Sequence, residues 1–313
     1  MAPNIPKFNP LFTNPHVLTV LGNYWPRKYD WAAYPMESRL VRTAPTVEVL
    51  VQTQRPVGAP RGELVLLHGL EGSGESGYIV SLAHRALSSG FTVHRFHMRT
   101  CGGTELLCQT LYHAGLTTDL LSFVEQDEHP RKVFLVGFSL GGNVALKAAG
   151  ETGARLLAGV VSVNTPIDLA ACSRRLQMPV NRVYQDRFTS RMKERLLRTG
   201  RYSAQDLERC RSVFDIDDKI TAPSFGFGNA ANYYETQSAL RFVPYIQVPT
   251  LMIAAQDDPL VPYESYSDPS LAANPYIQLL SPAHGGHLGF LSRRPPRFWA
   301  DEVIMGWLER HAC

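Results

Sequence analysis

"KVFLVGFSLGGNVALKAAG", residues 132–150, decides how the chain is read. An apolar, β-rich run ending at Val136 gives way at Leu140 to a stretch of Ala, Leu and Val with helical character, and Gly137-Phe138-Ser139-Leu140-Gly141 occupies the junction. A turn this tight leaves no room for side chains at Gly137 and Gly141, and it projects Ser139 outward. The helix that follows aims its free N–H groups and its dipole at the serine, which favours negative charge there. In this setting G-x-S-x-G reads as a nucleophile elbow, and the bland alternative is a structural turn.

A serine hydroxyl is a poor nucleophile until a base takes its proton, so a histidine and an acid are needed downstream. "PTLMIAAQDDPLVP" (249–262) ends a predicted strand in Asp257 and Asp258, and "YIQLLSPAHGGHLGF" (276–290) ends the next in His284 and His287. Loops at the carboxyl ends of neighbouring parallel strands meet at one edge of the sheet, which brings both to Ser139. The order Ser, Asp, His is that of an α/β-hydrolase. Asp258 is preferred as the acid because Asp-Pro-Leu-Val-Pro resembles the acid turn of that superfamily, leaving Asp257 as a turn carboxylate. His287 is preferred as the base because Gly285 and Gly286 free the backbone before it, while Leu288 and Phe290 can wall off water. His284 is left as a rim residue.

"HGLEGSGES" (68–76) differs by one residue from a phosphate-binding P-loop, since Glu75 stands where Lys belongs. An anionic side chain there repels phosphate, so the loop is read instead as the second half of an oxyanion site. Its Leu70 N–H would act together with the N–H of Leu140, the residue after the nucleophile.

Around these motifs, "VEVLVQT", "ELVLLHG", "FTVHRFH", "KVFLVG", "AGVVSVN", "PTLMIAA" and "YIQLLS" read as strands. Helical spacing between them, such as Ile79, Leu82, Ala83, Ala86 and Leu87 before a stop at Gly90, points to helices. The alternation predicts one α/β domain over 1–313, with a mostly parallel central sheet and helices on both faces. Residues 1–45, rich in Pro and aromatics, read as an irregular arm. About 167–246, between the sixth and seventh core strands, reads as a helical cap insertion, because so long a structureless loop would be unusual.

Composition narrows the partners. A formal charge of +3 is too small and dispersed to argue for nucleic acid or an anionic membrane. The N-terminus lacks the apolar core of a secretory signal, and nothing approaches the roughly 20 apolar residues of a membrane span. The five cysteines (101, 108, 172, 210 and 313) are an odd set without C-x-x-C, which suggests reduced thiols and a cytoplasmic setting. Other motifs read as structural. Gly226-Phe227-Gly228 with Ala231 follows no strand, as a dinucleotide fingerprint would. Asp215, Asp217 and Asp218 lack the glycine and glutamate of a calcium loop. His94 and His97 face opposite sides of a strand. Tyr112 and His113 open a predicted helix as core or hydrogen-bonding residues. No metal and no cofactor is expected.

Taken together, "NPHVLT", "HGLEGS", "RTCGGTE", "LYHAGLTTDL", "GFSLGGN", "ANYYETQSA", "AAQDDP" and "GGHLGF" resemble the YheT-type branch of the α/β-hydrolases, a group of esterases and lipases. The resemblance implies Ser139, Asp258 and His287 as the triad, no metal, and an acyl ester as substrate. The expectation is a serine carboxylic-ester hydrolase acting on short to medium acyl esters. An acyltransferase with the same triad and a non-catalytic binding module remain as alternatives. Phe225, Phe227, Tyr233 and Tyr234, with Phe188, Met192 and Leu196, are candidates for an apolar acyl pocket. The basic residues Arg187, Arg191, Lys193, Arg195 and Arg198 read either as a solvated face or as a peripheral contact with a membrane surface.

Overall fold

The computed structural model describes residues 6–126 and 133–312. Cys313, Lys132 and the first five residues of the N-terminal arm lie outside the described residues. At its centre "GELVLL" forms β3 (Gly62–Leu67), every residue of it buried. It pairs in parallel with β4 (Phe91–Phe96) on one side and β5 (Val133–Phe138) on the other. Apolar runs without alternation suit such strands, because both their faces are covered. Leu64 and Leu66 face one layer, formed with α2 (Gly77–Ser88) and the C-terminal helix Trp299–His311. Val65 and Leu67 face the other, formed with α3 (Thr118–Gln126) and α4 (Leu140–Thr152). Burying each such leucine contributes roughly 1.5–3 kcal/mol.

The eight-stranded sheet continues outward through β1 (Met36–Ala44), β2 (Val47–Gln54), β6 (Leu157–Val163), β7 (Thr250–Ile253) and β8 (Ile277–Leu280). Its order is β1-β2-β4-β3-β5-β6-β7-β8. Only the pairings of β2 are antiparallel, with β1 and with β4. The sheet is therefore mostly parallel, with helices on both faces.

Two local expectations need correction. The stretch read as an irregular arm contains helix α1 (Pro15–Tyr24) and the edge strand β1. Asn14 starts α1 by accepting from the amides of His16 and Val17, and Pro15 sits at the first turn where its missing N–H costs nothing. β1 is largely exposed, so "MESRLVRTA" carries little of the apolar alternation that marks a strand. The second correction concerns Tyr112 and His113, which lie in irregular chain just before the turn at Ala114 and Gly115 and open no helix.

Between β6 and β7 the described backbone is helical, with α5 (Leu169–Leu176), α6 (Arg182–Arg198), a π-helical turn Asp217–Thr221 and the helix Ala230–Gln237. Leu176, Met192, Leu196, Leu207 and Ile216 form their own core, which rests on Leu260 beyond β7.

Candidate active site

The turn after β5 is fixed by steric necessity. A Cβ on Gly137 would lie 2.3 Å from the Gly141 carbonyl oxygen, and one on Gly141 would lie 2.4 Å from that of Leu67. Between them Ser139 adopts φ +51°, a left-handed conformation unusual for serine and typical of strained functional turns. Its amide is anchored to Val163 on β6 at 2.8 Å, which leaves the side chain free.

The loops after β7 and β8 converge on that side chain. His287 Nε2 lies 3.0 Å from Ser139 Oγ, and His287 Nδ1 lies 2.8 Å from Asp258 Oδ2. The other carboxylate oxygen of Asp258 accepts from the amides of Leu260 (2.8 Å) and Val261 (3.1 Å), so its own turn orients the buried acid. The neighbouring pair forms a separate contact: Asp257 Oδ2 lies 3.1 Å from His284 Nδ1, and Asp257 Oδ1 accepts from the Gly286 amide at 2.9 Å. Geometry thus joins Ser139, His287 and Asp258 in one hydrogen-bonded chain and leaves Asp257 and His284 beside it.

The loop after β3 closes over the same serine. His68 is fully buried, and burial pushes its imidazole down to about 4, so it is neutral. Its Nε2 accepts from the Met98 amide at 3.1 Å, which places the proton on Nδ1, facing the Gly69 carbonyl at 2.8 Å. Holding that carbonyl fixes the whole planar Gly69–Leu70 peptide and hence the direction of the Leu70 N–H. The Gly69 amide is taken by the Tyr78 hydroxyl at 3.0 Å. Among the described residues the amides of Leu70 and Leu140 have no acceptor. Both residues border a cavity of about 100 Å³ that also contains Ser139 and His287. Two free amide donors therefore lie beside the Ser139 hydroxyl.

Several residues that build this arrangement carry no sequence signal of their own. The Thr19 hydroxyl, on α1, accepts from the His287 amide at 2.8 Å. Asn164, at φ +45°, donates to the Gly286 carbonyl at 2.6 Å and accepts from the Ala255 amide at 3.0 Å, bracing the two loops against each other. Arg195 corrects the reading of α6 as a solvated basic face, because it is buried and pairs with Glu71. The signal that could have found it is its position in line with Met192 and Leu196 on the apolar side of the helix.

The cavity is lined mainly by Leu140, Leu169, Leu176, Met192, Val213 and Leu260. Its wall also includes a polar pair, where Asp217 accepts from the Tyr234 hydroxyl at 2.7 Å and burial raises the carboxyl to about 6. Of the aromatic candidates, Phe188, Tyr233 and Tyr234 border it, as does Met192, whereas Leu196 belongs to the cap core. Phe225 and Phe227 pack on the ring of His113. The remaining sequence candidates are accounted for locally. Glu75 pairs with Arg95 at 3.5 Å, Asp215 is capped by Ser212, Asp218 accepts from the Ala230 amide, and His94 and His97 bond Glu63 and Gln52. Cys101, Cys108, Cys172 and Cys210 are free thiols. Among the described residues no helix is long and apolar enough to cross a membrane.

Sheet order, elbow and converging loops define the class as an α/β hydrolase, and the comparisons agree. A family described as having the alpha/beta hydrolase fold matches residues 63–293. YheT of Escherichia coli (strain K12) is 30% identical over 95% of this chain and 91% of its own. A monoacylglycerol lipase of Saccharomyces cerevisiae is 29% identical over 79% of this chain and 58% of its own length. The phospholipase ABHD3 of Mus musculus is 28% identical over 76% of this chain and 60% of its own. Among solved structures, the Pyrococcus furiosus esterase Pf2001 superposes with a TM-score of 0.59 over 98% of this chain and 99% of that one; at 16% identity it speaks for the fold alone. The chain belongs to the α/β-hydrolase family, in its YheT-type esterase and lipase branch.

Proposed function

We propose that the protein is a serine carboxylic-ester hydrolase in which Ser139 is the nucleophile, His287 the general base and Asp258 the acid that orients it. The observation that carries this reading is the continuous chain from Ser139 Oγ through both nitrogens of His287 to Asp258. In the first half-reaction Ser139 Oγ attacks the acyl carbon as His287 Nε2 takes its proton. The carbonyl oxygen becomes an oxyanion that accepts from the Leu70 and Leu140 amides. His287 then gives the proton to the departing alkoxide, the ester C–O bond breaks, and the acyl group stays on Ser139. Water repeats the sequence: it loses a proton to His287, attacks the acyl carbon and releases the acid, and the proton returns to Ser139.

The apolar cavity under the cap is the acyl site in this reading. Its small volume, about 100 Å³, and the polar pair Asp217 and Tyr234 in its wall support short to medium acyl esters. The esterase, lipase and phospholipase names among the relatives support an ester substrate. The four free thiols support a reducing, cytoplasmic setting. A panel of 4-nitrophenyl esters from acetate to palmitate tests the assignment: turnover that peaks at short to medium chains supports it, and absence of turnover on every ester contradicts it.

A further inference from the structure

A second cavity, of about 300 Å³, also borders Ser139. It shares Ser139, His287, Leu70, Phe188 and Leu260 with the acyl-side cavity, so the reacting centre lies where the two meet. Its outer wall has a different character. Arg187 and Arg191, one turn apart on one face of α6, border it opposite Asn23 and Tyr24 of α1.

From these residues the geometry points to an anion-recognising subsite for the alcohol portion of the substrate, with Arg191 and Arg187 holding a phosphate or similar oxyanion next to the scissile ester. The assignment rests on Ser139 being the nucleophile. With the acyl chain in the apolar cavity, the leaving alcohol projects into the second one, where it meets the two guanidinium groups.

The charge balance of the cleft favours this. Among the described residues the one acidic side chain that lines it is Glu71, and Arg195 already pairs with that carboxylate at 2.9 Å. Arg187 donates to the Tyr24 hydroxyl at 2.6 Å and lies 5.5 Å from the centre of that ring, contacts that favour a guanidinium position at the cleft. Arg191 is exposed and, among the described residues, has no hydrogen bond or ion pair. Its charge nevertheless reaches inward: burial raises the Tyr78 hydroxyl, and Arg191 is among the groups that oppose that rise. Tyr78 lines the same cavity and holds the Gly69 amide beside Ser139, so the Arg191 charge acts next to the reacting centre. A planar guanidinium matches the oxygens of a phosphate or carboxylate and keeps its charge at any working pH.

The test uses butyryl esters that differ only in the alcohol, glycerol against glycerol 3-phosphate, with the full chain. The phosphate ester is expected to have the higher kcat/KM, and the ratio of the two values to fall about tenfold in Arg191→Gln, mainly through KM, and less in Arg191→Lys. Direct titration of the protein with glycerol 3-phosphate and with glycerol provides a reading that needs no turnover. Binding of the phosphate alone, weakened in Arg187→Gln and Arg191→Gln, supports the subsite. Sedimentation with vesicles of phosphatidic acid or of phosphatidylcholine identifies the source of the anion. Retention on the first alone, lost in Arg191→Gln and without binding of free glycerol 3-phosphate, assigns a lipid headgroup. Equal kcat/KM for both butyryl esters, with neither glycerol 3-phosphate nor phosphatidic acid bound, overturns the subsite. Failure of the wild type to cleave any ester overturns the hydrolase reading instead, and the binding arms then decide the subsite alone.

Discussion

The guanidinium of Arg195, on α6, closes on the carboxylate of Glu71 with its Nε 2.9 Å from one oxygen and 3.0 Å from the other, both side chains buried. Glu71 follows Leu70 directly and adopts φ +55°. The same guanidinium donates to Thr100, also left-handed at φ +60°, and lies 4.8 Å from the centre of the Tyr112 ring. One residue of α6 thus holds two strained loop residues. Removing one member of a buried pair leaves the other charged and unpaired, at a cost of about 3–5 kcal/mol. Arg195→Met is expected to lose that much in denaturant unfolding. Glu71→Gln combined with Arg195→Met should lose less than the two single changes added together. Additive losses would show that the pair is not coupled.

The adjacent carboxylates and histidines are expected to separate in function as they do in space. Asp258→Asn should lower kcat by about 10⁴-fold, because His287 loses the acceptor that sets its tautomer. Asp257→Asn should cost far less, since Asp257 contacts His284 and the Gly286 amide. The same asymmetry is expected for His287→Ala against His284→Ala. Steady-state kinetics on one 4-nitrophenyl ester decide it, and equal losses within either pair would contradict the assignment.

Stability should rise with pH between about 4 and 6. Burial lowers His68 to about 4 and His97 and His113 to about 3, so over this range the unfolded chain holds protons on all three that the native protein lacks. Burial also raises Asp217 to about 6 and Asp301 to about 7, so the native protein holds two protons that the unfolded chain lacks. The histidines win by one proton, a slope of about 1.4 kcal/mol per pH unit. Asp301, which accepts from Ser81, opposes them. Asp301→Asn should therefore steepen the slope toward two protons, about 2.7 kcal/mol per unit. Urea unfolding at pH 4.5 and 5.5 measures both, and stability that falls with pH in the wild type would contradict the balance.

Each methylene accommodated in the apolar cavity contributes roughly 0.8 kcal/mol, so kcat/KM should rise by up to about fourfold per carbon until the cavity is filled. Leu169→Trp, which fills the cavity wall, should move the optimum to shorter chains. A profile flat from acetate to palmitate in both proteins would remove the cavity as the acyl site.

What could be read in the sequence was what is local in it. The buried parallel strands appear as unbroken apolar runs, and Ser139 sits between glycines that the turn cannot replace. The two carboxylates and two histidines were visible as pairs, but their division depends on which loop atoms face each other across 29 residues. Long-range supports were hidden. Thr19 meets His287 across 268 residues without any periodic trace, and Arg195, although in line with Met192 and Leu196, meets Glu71 across 124 with nothing in the sequence to name that partner. Edge strand β1 was hidden because its exposed face needs no apolar alternation. The start of α1 was readable, since Asn14 before Pro15 is a helix-opening pair, although the four prolines around it suggested irregular chain.

The most direct test is the intact mass of the protein after treatment with a fluorophosphonate, for wild type and Ser139→Ala. The account predicts one phosphonyl adduct on the wild type, mapped to Ser139. It predicts none on Ser139→Ala, with ester turnover lower by about 10⁴-fold or more and the unfolding transition retained. An adduct that persists in Ser139→Ala, or a wild type that cleaves esters without ever being labelled at Ser139, would contradict it.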